Sequence, residues 1–282
     1  MWDMLAETLL DNIKIFPFLF VTYLFLEYLE RKTSDKTTAA IQKANKAGPL
    51  IGGALGVLPQ CGFSVVAANL FAARVITLGT LIAIFLSTSD ELLPILISYD
   101  APFSVIAVII GYKAACGVVF GYLIDFTFKK HHSLPEPDVE TLCQNEHCHC
   151  EEDEPLWKPA LYHSVRITLF ILAVSLILNI CLHYYGSSDK LPQLLQYPLL
   201  GEMLSAVIGL IPNCSASVIL TQMYILNYID FSTMMSGSLV SGGVGLLVLF
   251  RVNRPLKQNL KIVALLYICG LLGGLCSNLL EF

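Results

Sequence analysis

The stretch LPQCGFS at residues 58–64 returns as IPNCSAS at residues 211–217, after a shift of 153 positions. At this offset proline falls on proline, cysteine on cysteine and serine on serine, and Gln60 falls on the amide Asn213. We infer two homologous halves, each with a polar break inside an apolar stretch, an arrangement typical of membrane transporters built from repeats. The alternative interpretation is a pair of ordinary proline-kinked membrane helices.

The composition is that of a multi-spanning membrane protein. The 282 residues are 55% hydrophobic and only 14% charged, and the mean hydropathy is +0.68, whereas soluble domains carry about a quarter charged residues. No basic face for nucleic acid is present. The N-terminal residues lack a positive n-region, so we expect no cleaved signal peptide. The nine cysteines show no extracellular disulfide pattern and are expected to be reduced thiols.

Eight apolar segments are distributed along the whole chain. Six of the eight fit single membrane crossings of about 20 residues, and the two that contain Pro-x-Cys are longer and broken midway. Pro59 and Pro212 disfavour helix at the break, and Gly62 is expected to let the backbone turn. Each broken segment is therefore a re-entrant hairpin or a discontinuous helix that lines a cavity. The segments fall at about 12–29, 48–74, 76–98, 102–126, 160–184, 197–228, 231–250 and 260–280.

The positions of lysine and arginine choose between these two forms. Clusters of basic residues follow segments one, four and seven and flank the start of segment five, and all of them belong in the cytoplasm. Both broken segments must then enter and leave on one side, as re-entrant hairpins. The prediction is an all-α polytopic membrane protein with both termini outside. It consists of two inverted-topology repeats, each with three crossings plus a re-entrant Pro-x-Cys hairpin.

The chain divides into an N-terminal membrane repeat (1–128), a polar cytoplasmic loop (129–158) and a C-terminal membrane repeat (159–282). The loop carries three cysteines and two histidines within eight residues, which is a composition typical of metal capture. Their spacing is not that of a folded zinc finger, and the alternative is a solvated acidic linker. The proposed capture residues are Cys143, His147, Cys148, His149 and Cys150.

The two hairpin tips are predicted to meet near the membrane midplane and form the substrate site. The second arm of each hairpin starts at the break, so its N–H groups favour an anion or a thiolate. Two facing thiols make a soft site for a thiophilic metal or metalloid, and the alternative is that each cysteine is a small apolar filler. For Cys116, Cys181, Cys269 and Cys276 we prefer the filler interpretation. The predicted substrate-binding residues are Gln60, Cys61, Ser64, Asn213, Cys214 and Ser217.

Asp90, Glu91 and Lys113 are ionisable residues inside segments three and four. Adjacent antiparallel helices would bring them to similar depth, where charged groups are costly and are usually paired or functional. One interpretation is a structural ion pair between Lys113 and Asp90. The other is coupling of transport to a proton or cation. The second half has Gly243 and Leu266 at the positions equivalent to Asp90 and Lys113, so this feature breaks the repeat.

The doubled Pro-[Gln/Asn]-Cys motif, together with the His/Cys-rich central loop, resembles the ten-TM heavy-metal exporters. These are bacterial permeases called arsenic efflux proteins, and some members are described as manganese transporters. The resemblance covers nearly the whole chain and implies a multi-pass protein of the bacterial inner membrane. It is carried by Pro59, Gln60, Cys61, Pro212, Asn213 and Cys214.

Three hypotheses follow. The first is a secondary active transporter that exports a thiophilic, arsenic-type metal or metalloid by alternating access, or a manganese variant that relies on Asp90 and Glu91. The second is a transporter of a small organic anion, drawn to the helix ends and Lys113. The third is a membrane thiol enzyme or metal sensor. No Walker A motif or nucleophile–base pair occurs, so we expect no enzyme activity and no cofactor. The expected partners are the lipid bilayer and the substrate, and a homo-oligomer is compatible with the sequence.

Overall fold

The computed structural model describes residues 16–17, 20–21, 24, 47–57, 61–89, 92–128, 157–158, 160–162, 164–166, 168–169, 172–173, 176, 195–212 and 214–279. This part of the chain is helical and contains no strand. Within these residues, the helices of the first half are α1 (Gly48–Gly56), α2 (Cys61–Ala72), α3 (Leu78–Ser87), α4 (Leu92–Ser98) and α5 (Phe103–Phe128). Those of the second half are α6 (Leu200–Gly209), α7 (Cys214–Ile225), α8 (Phe231–Val240), α9 (Gly243–Val252) and α10 (Leu256–Ser277).

The predicted membrane character is confirmed for the described residues. Three stretches are long and apolar enough to cross a bilayer, namely Phe103–Phe128, Phe231–Val252 and Leu256–Ser277. The remaining apolar helices, including α3 and α6, are shorter. The predicted crossings at 12–29 and 160–184 lie mostly outside the described residues.

Two segments predicted as single membrane crossings each contain a break in the helix. In segment 76–98, α3 ends at Ser87 and Thr88 has the extended ψ of 128°. The Ser87 hydroxyl donates to the carbonyl of Ala83 (2.8 Å), and the Thr88 hydroxyl donates to that of Ile84 (2.7 Å). Such bonds compete with the backbone hydrogen bonds of the helix. In segment 231–250, α8 ends at Val240. These hydroxyl bonds account for the first break, and the second lies beside Gly242 and Gly243. The stretch Phe231–Val252 is still long and apolar enough for the predicted single crossing.

The helix bounds repeat at the same offset of 153 residues as the sequence motif. Cys61–Ala72 corresponds to Cys214–Ile225, and Leu78–Ser87 corresponds to Phe231–Val240. The residues that precede α3 and α8 have nearly the same backbone: Thr77 has φ −77° and ψ 164°, and Asp230 has φ −74° and ψ 163°. Within the described residues, the two halves therefore share one succession of five helices.

Packing between the helices divides each half into a scaffold and two arms. In the first half α3 packs on α1 and α5, and in the second half α8 packs on α6 and α10. The remaining helices, α2 and α4 in the first half and α7 and α9 in the second, are the arms. Helix α2 packs mainly on α9 of the other half, whereas α7 packs about equally on α4 of the other half and on α8 of its own. By contrast, α1 and α2 contact each other little, so the two sides of the first break do not lie packed along one another.

Glycines allow the scaffold helices to approach closely. A Cβ on Gly117 would lie 2.6 Å from the carbonyl oxygen of Ala83, and a Cβ on Gly121 would lie 2.8 Å from that of Gly79. The equivalent residues Gly270 and Gly274 meet Val240 and Ser236 in the second half. Small residues at helix crossings are the usual means of close packing in membranes.

Candidate functional site

The structure interrupts both Pro-x-Cys segments at the predicted place. In the first half α1 ends at Gly56 and α2 begins at Cys61. In the second half α6 ends at Gly209 and α7 begins at Cys214, with Pro212 partly buried in the non-helical link. Each motif cysteine is thus the first residue of its helix, where unpaired N–H groups and the helix dipole favour negative charge.

Gly62 does not form the turn that we predicted. It lies inside α2, as the second residue of that helix, and is buried. A proline just ahead of a helix costs no helical hydrogen bond, so the chain can resume its helix at Cys61 without a flexible residue. The role predicted for Gly62 is therefore wrong.

Ser64 and Ser217 are buried one turn into α2 and α7. Ser64 packs against α9, where a Cβ on Gly245 would lie 2.6 Å from the Ser64 Cβ and carbonyl oxygen. Ser217 accepts a hydrogen bond at its carbonyl from Thr221 Oγ1 (2.8 Å). Ser64 consequently belongs to the interface between α2 and α9 of the other half, whereas the bond of Ser217 stays inside α7.

Several predicted site residues lie outside the described part of the chain. These are Pro59, Gln60, Asn213, Asp90, Glu91 and the loop residues Cys143, His147, Cys148, His149 and Cys150. For Cys61 and Cys214 the structure describes the backbone and not the side chains. The predicted Lys113–Asp90 ion pair falls in the same category. Among the residues that are described, no group of three or more His, Cys, Asp or Glu is arranged to hold a metal ion.

Lys113 is buried in the middle of the helical bundle, with 1% of its surface exposed. Its Nζ donates to the carbonyl oxygen of Ser238 (2.8 Å) and to the Ser238 hydroxyl (2.7 Å). Ser238 lies on α8, so this ammonium group joins α5 of the first half to the scaffold of the second. One residue earlier, the Tyr112 hydroxyl donates to the carbonyl of Gly273 on α10.

Glu202 is a buried acidic residue that our sequence analysis missed. It lies in the first turn of α6, only 4% of its surface is exposed, and its Oε1 accepts a hydrogen bond from Ser232 Oγ (2.8 Å). The signal was available, because an ionisable residue inside the apolar segment 197–228 marks a functional candidate.

Cys116 and Cys269 are buried free thiols, and they are equivalent at the offset of 153 residues. Their burial among apolar residues agrees with the filler interpretation. Cys276 is also a free thiol but is exposed.

A family model with the description "Putative, 10TM heavy-metal exporter" matches residues 2–183. This range is more than half of the chain and includes the first Pro-x-Cys break, α1 to α5 and the central loop. Neither the curated proteins nor the solved structures gave a match to the chain.

Proposed function

The chain belongs to the family of 10TM heavy-metal exporters, and from that premise we propose that it is a secondary active transporter. Its cargo is a thiophilic heavy metal or metalloid of the arsenic type, exported by alternating access. It acts as a multi-pass protein of the cell membrane, with both termini outside.

The observation that carries this proposal is the crossed packing of the two halves. Helices α2 and α7 begin at the equivalent cysteines, and each contacts an arm of the opposite half: α2 packs mainly on α9, and α7 contacts α4 as well as α8 of its own half. A rocking motion of one scaffold against the other would shift both arms together, which is how repeat transporters expose one site to two sides. We propose that the halves are inverted relative to one another and that the broken segments re-enter the membrane.

The proposed substrate site lies where α2 and α7 begin. Cys61 and Cys214 provide two thiolates favoured by the helix ends, and thiolates select soft metals. The amides Gln60 and Asn213 and the hydroxyls of Ser64 and Ser217 would complete the shell. Capture of metal by the cysteines and histidines of the central loop would raise its concentration on the cytoplasmic side.

Lys113 supports coupling of export to an ion. Its ammonium group has two described acceptors on Ser238 of the other half, so any change in its charge would alter a contact between the halves. We propose that it acts with Asp90 and Glu91. A hard divalent cargo such as manganese would use these carboxylates rather than the thiols, and an organic anion would use Lys113 and the helix ends.

Flux measurements in liposomes test the proposal. The purified full-length protein is reconstituted, and arsenite, methylarsenite, manganese and zinc are offered in turn, with and without a pH gradient. We expect metalloid flux that is lost in Cys61→Ser/Cys214→Ser. Manganese flux that survives this double substitution but not Asp90→Asn/Glu91→Gln would move the site to the carboxylates. Absence of flux for all four would contradict metal export and leave the organic anion.

A further inference from the structure

Two carboxylates, one in each half, bind the first turns of equivalent helices. In the first half Asp125 of α5 accepts from Thr77 Oγ1 (2.7 Å) and from the Gly79 backbone N–H (2.8 Å), at the start of α3. In the second half Glu202 of α6 accepts from Ser232 Oγ (2.8 Å), at the start of α8. Gly79 and Ser232 are equivalent at the 153-residue offset. The first turns of the equivalent helices α3 and α8 are therefore each bound by a carboxylate, although one comes from α5 and the other from α6.

The two carboxylates differ in how well they are satisfied. Each oxygen of Asp125 accepts a hydrogen bond, as expected of a structural cap on a helix N-terminus. The Oε2 of Glu202 is buried and has no hydrogen-bond partner among the described residues. The same holds for the hydroxyl of Ser205, which is three residues further along α6 and therefore a neighbour of Glu202 on the helix surface.

No basic side chain in the described part of the chain forms an ion pair with Glu202. From α10, the Tyr267 hydroxyl donates to the carbonyl of Met203 (3.3 Å), the residue after Glu202. A buried carboxylate without a neighbouring cation is costly and is expected to bind one. The titratable groups on the elements packed against α6 are Asp230 ahead of α8, Cys214 and Tyr224 on α7, and Lys257, Lys261, Tyr267, Cys269 and Cys276 on α10.

We propose that Glu202, with Ser232 and Ser205 beside it, binds an exchangeable monovalent cation, either a proton or sodium. Coupling of this cation to export rests on the proposed function, but the existence of the site does not. The site lies in the first turn of α6, close to the exposed turn at 196–199, which gives the cation a short route from one side of the membrane.

Labelling with dicyclohexylcarbodiimide tests the site without any transport. A protonated carboxyl adds across the carbodiimide to give an O-acylisourea, which rearranges to a stable N-acylurea, so the peptide gains the whole mass of the reagent. The full-length protein in membranes is labelled, and the Glu202 peptide is followed by mass spectrometry. A proton site predicts that labelling falls at least tenfold as the pH rises from about 5 to 9. A sodium site predicts that sodium, but not choline at equal ionic strength, protects Glu202.

Asp125 and a neighbouring serine provide the controls. The carboxyl of Asp125 should remain unlabelled in the folded protein, since both of its oxygens are engaged. Ser232→Ala should change the labelling of Glu202, whereas Ser236→Ala, which removes another buried hydroxyl of α8, should not. The proposal is overturned if Glu202 is labelled only after denaturation, or if its labelling in the folded protein responds to neither pH nor sodium.

Flux through Glu202→Gln then separates the site from the proposed function. We expect at least a tenfold loss of uphill accumulation driven by a proton or sodium gradient, while exchange of substrate down its own gradient stays within about twofold of the wild type. Equal losses of both would overturn the coupling role. If the wild-type protein moves none of the tested metals but Glu202 is labelled as expected, the proposal of metal export is contradicted and the proposal of a cation site is supported.

Discussion

Arg74 and Asn227, which are 153 positions apart, both adopt a left-handed backbone with φ 59°. Each follows the end of an equivalent helix. Val75 N–H donates to the Leu70 carbonyl (2.8 Å), and Tyr228 N–H donates to that of Met223 (2.8 Å), the six-to-one bond of a Schellman motif. Asparagine tolerates this conformation but arginine adopts it rarely. Equivalent helix ends therefore impose it, and the repeat is a property of the backbone as well as of the sequence.

This pair provides a direct test of inverted topology. If the halves are inverted, a cysteine introduced by Arg74→Cys should react with a membrane-impermeant maleimide from the cytoplasmic side only. A cysteine introduced by Asn227→Cys should react from the outside only. Both native residues are exposed, so modest effects on folding are expected. Labelling of the two peptides in right-side-out and inside-out vesicles, read by mass spectrometry, gives the answer. Reaction of both from one side would show that the halves are parallel.

Gly245 should be intolerant of a side chain. A Cβ at this position would lie 2.6 Å from backbone atoms of Ser64, so Gly245→Ala must push α9 away from α2, at a cost of about 1–3 kcal/mol. Gly111→Ala is the matched control, because nothing lies within 4 Å of its Cβ and alanine is the better helix former. Thermal unfolding in detergent should show a lower Tm for the first variant and an unchanged or higher Tm for the second. Equal Tm values would contradict the close α2–α9 contact.

Asp125→Asn should destabilise the start of α3. The substitution weakens the hydrogen bonds from Thr77 Oγ1 and the Gly79 N–H and removes a negative charge from a helix N-terminus, with a typical cost of about 1 kcal/mol. Asp100→Asn is the control: Asp100 is exposed and has φ 54°, a conformation that asparagine adopts readily. Denaturant unfolding should separate the two variants. A neutral Asp125→Asn would show that the cap is dispensable.

Lys113→Met should impair transport more than stability. Methionine fills a similar volume but leaves the Ser238 carbonyl and hydroxyl without the ammonium donor. We expect gradient-driven flux to fall at least tenfold, since buried charges in membranes are usually functional. Ser238→Ala removes one acceptor and keeps the carbonyl, so it should retain most of the flux. The coupling role of Lys113 is wrong if Lys113→Met transports at the wild-type rate under a pH gradient.

The repeat and the positions of the two Pro-x-Cys breaks were predictable from the sequence. Proline restricts the residue before it and lacks an N–H, so the break could be placed near Pro59 and Pro212 without a structure. The additional breaks after Ser87 and Val240 were not foreseen. At Ser87 and Thr88 the hydroxyls bond back to the helix, and the apolar pattern of the run does not reveal such bonds.

The crossed packing of the arms was beyond the reach of sequence analysis. Which helix of one half meets which helix of the other depends on contacts between distant residues, such as Ser64 with Gly245. Glu202 was missed for a simpler reason. It lies near the start of the apolar segment 197–228, where the sequence shows neither its burial nor its bond to Ser232.

The measurement that tests the central claim most directly compares two cysteine pairs that are each related by the 153-residue repeat. Arsenite uptake into inside-out proteoliposomes is measured for Cys61→Ser/Cys214→Ser and for Cys116→Ser/Cys269→Ser. If the thiols at the starts of α2 and α7 bind the cargo, the first variant should lose uptake at least a hundredfold, and the second should stay within about twofold of the wild type. Equal uptake by the two variants would contradict a thiol site at the Pro-x-Cys breaks.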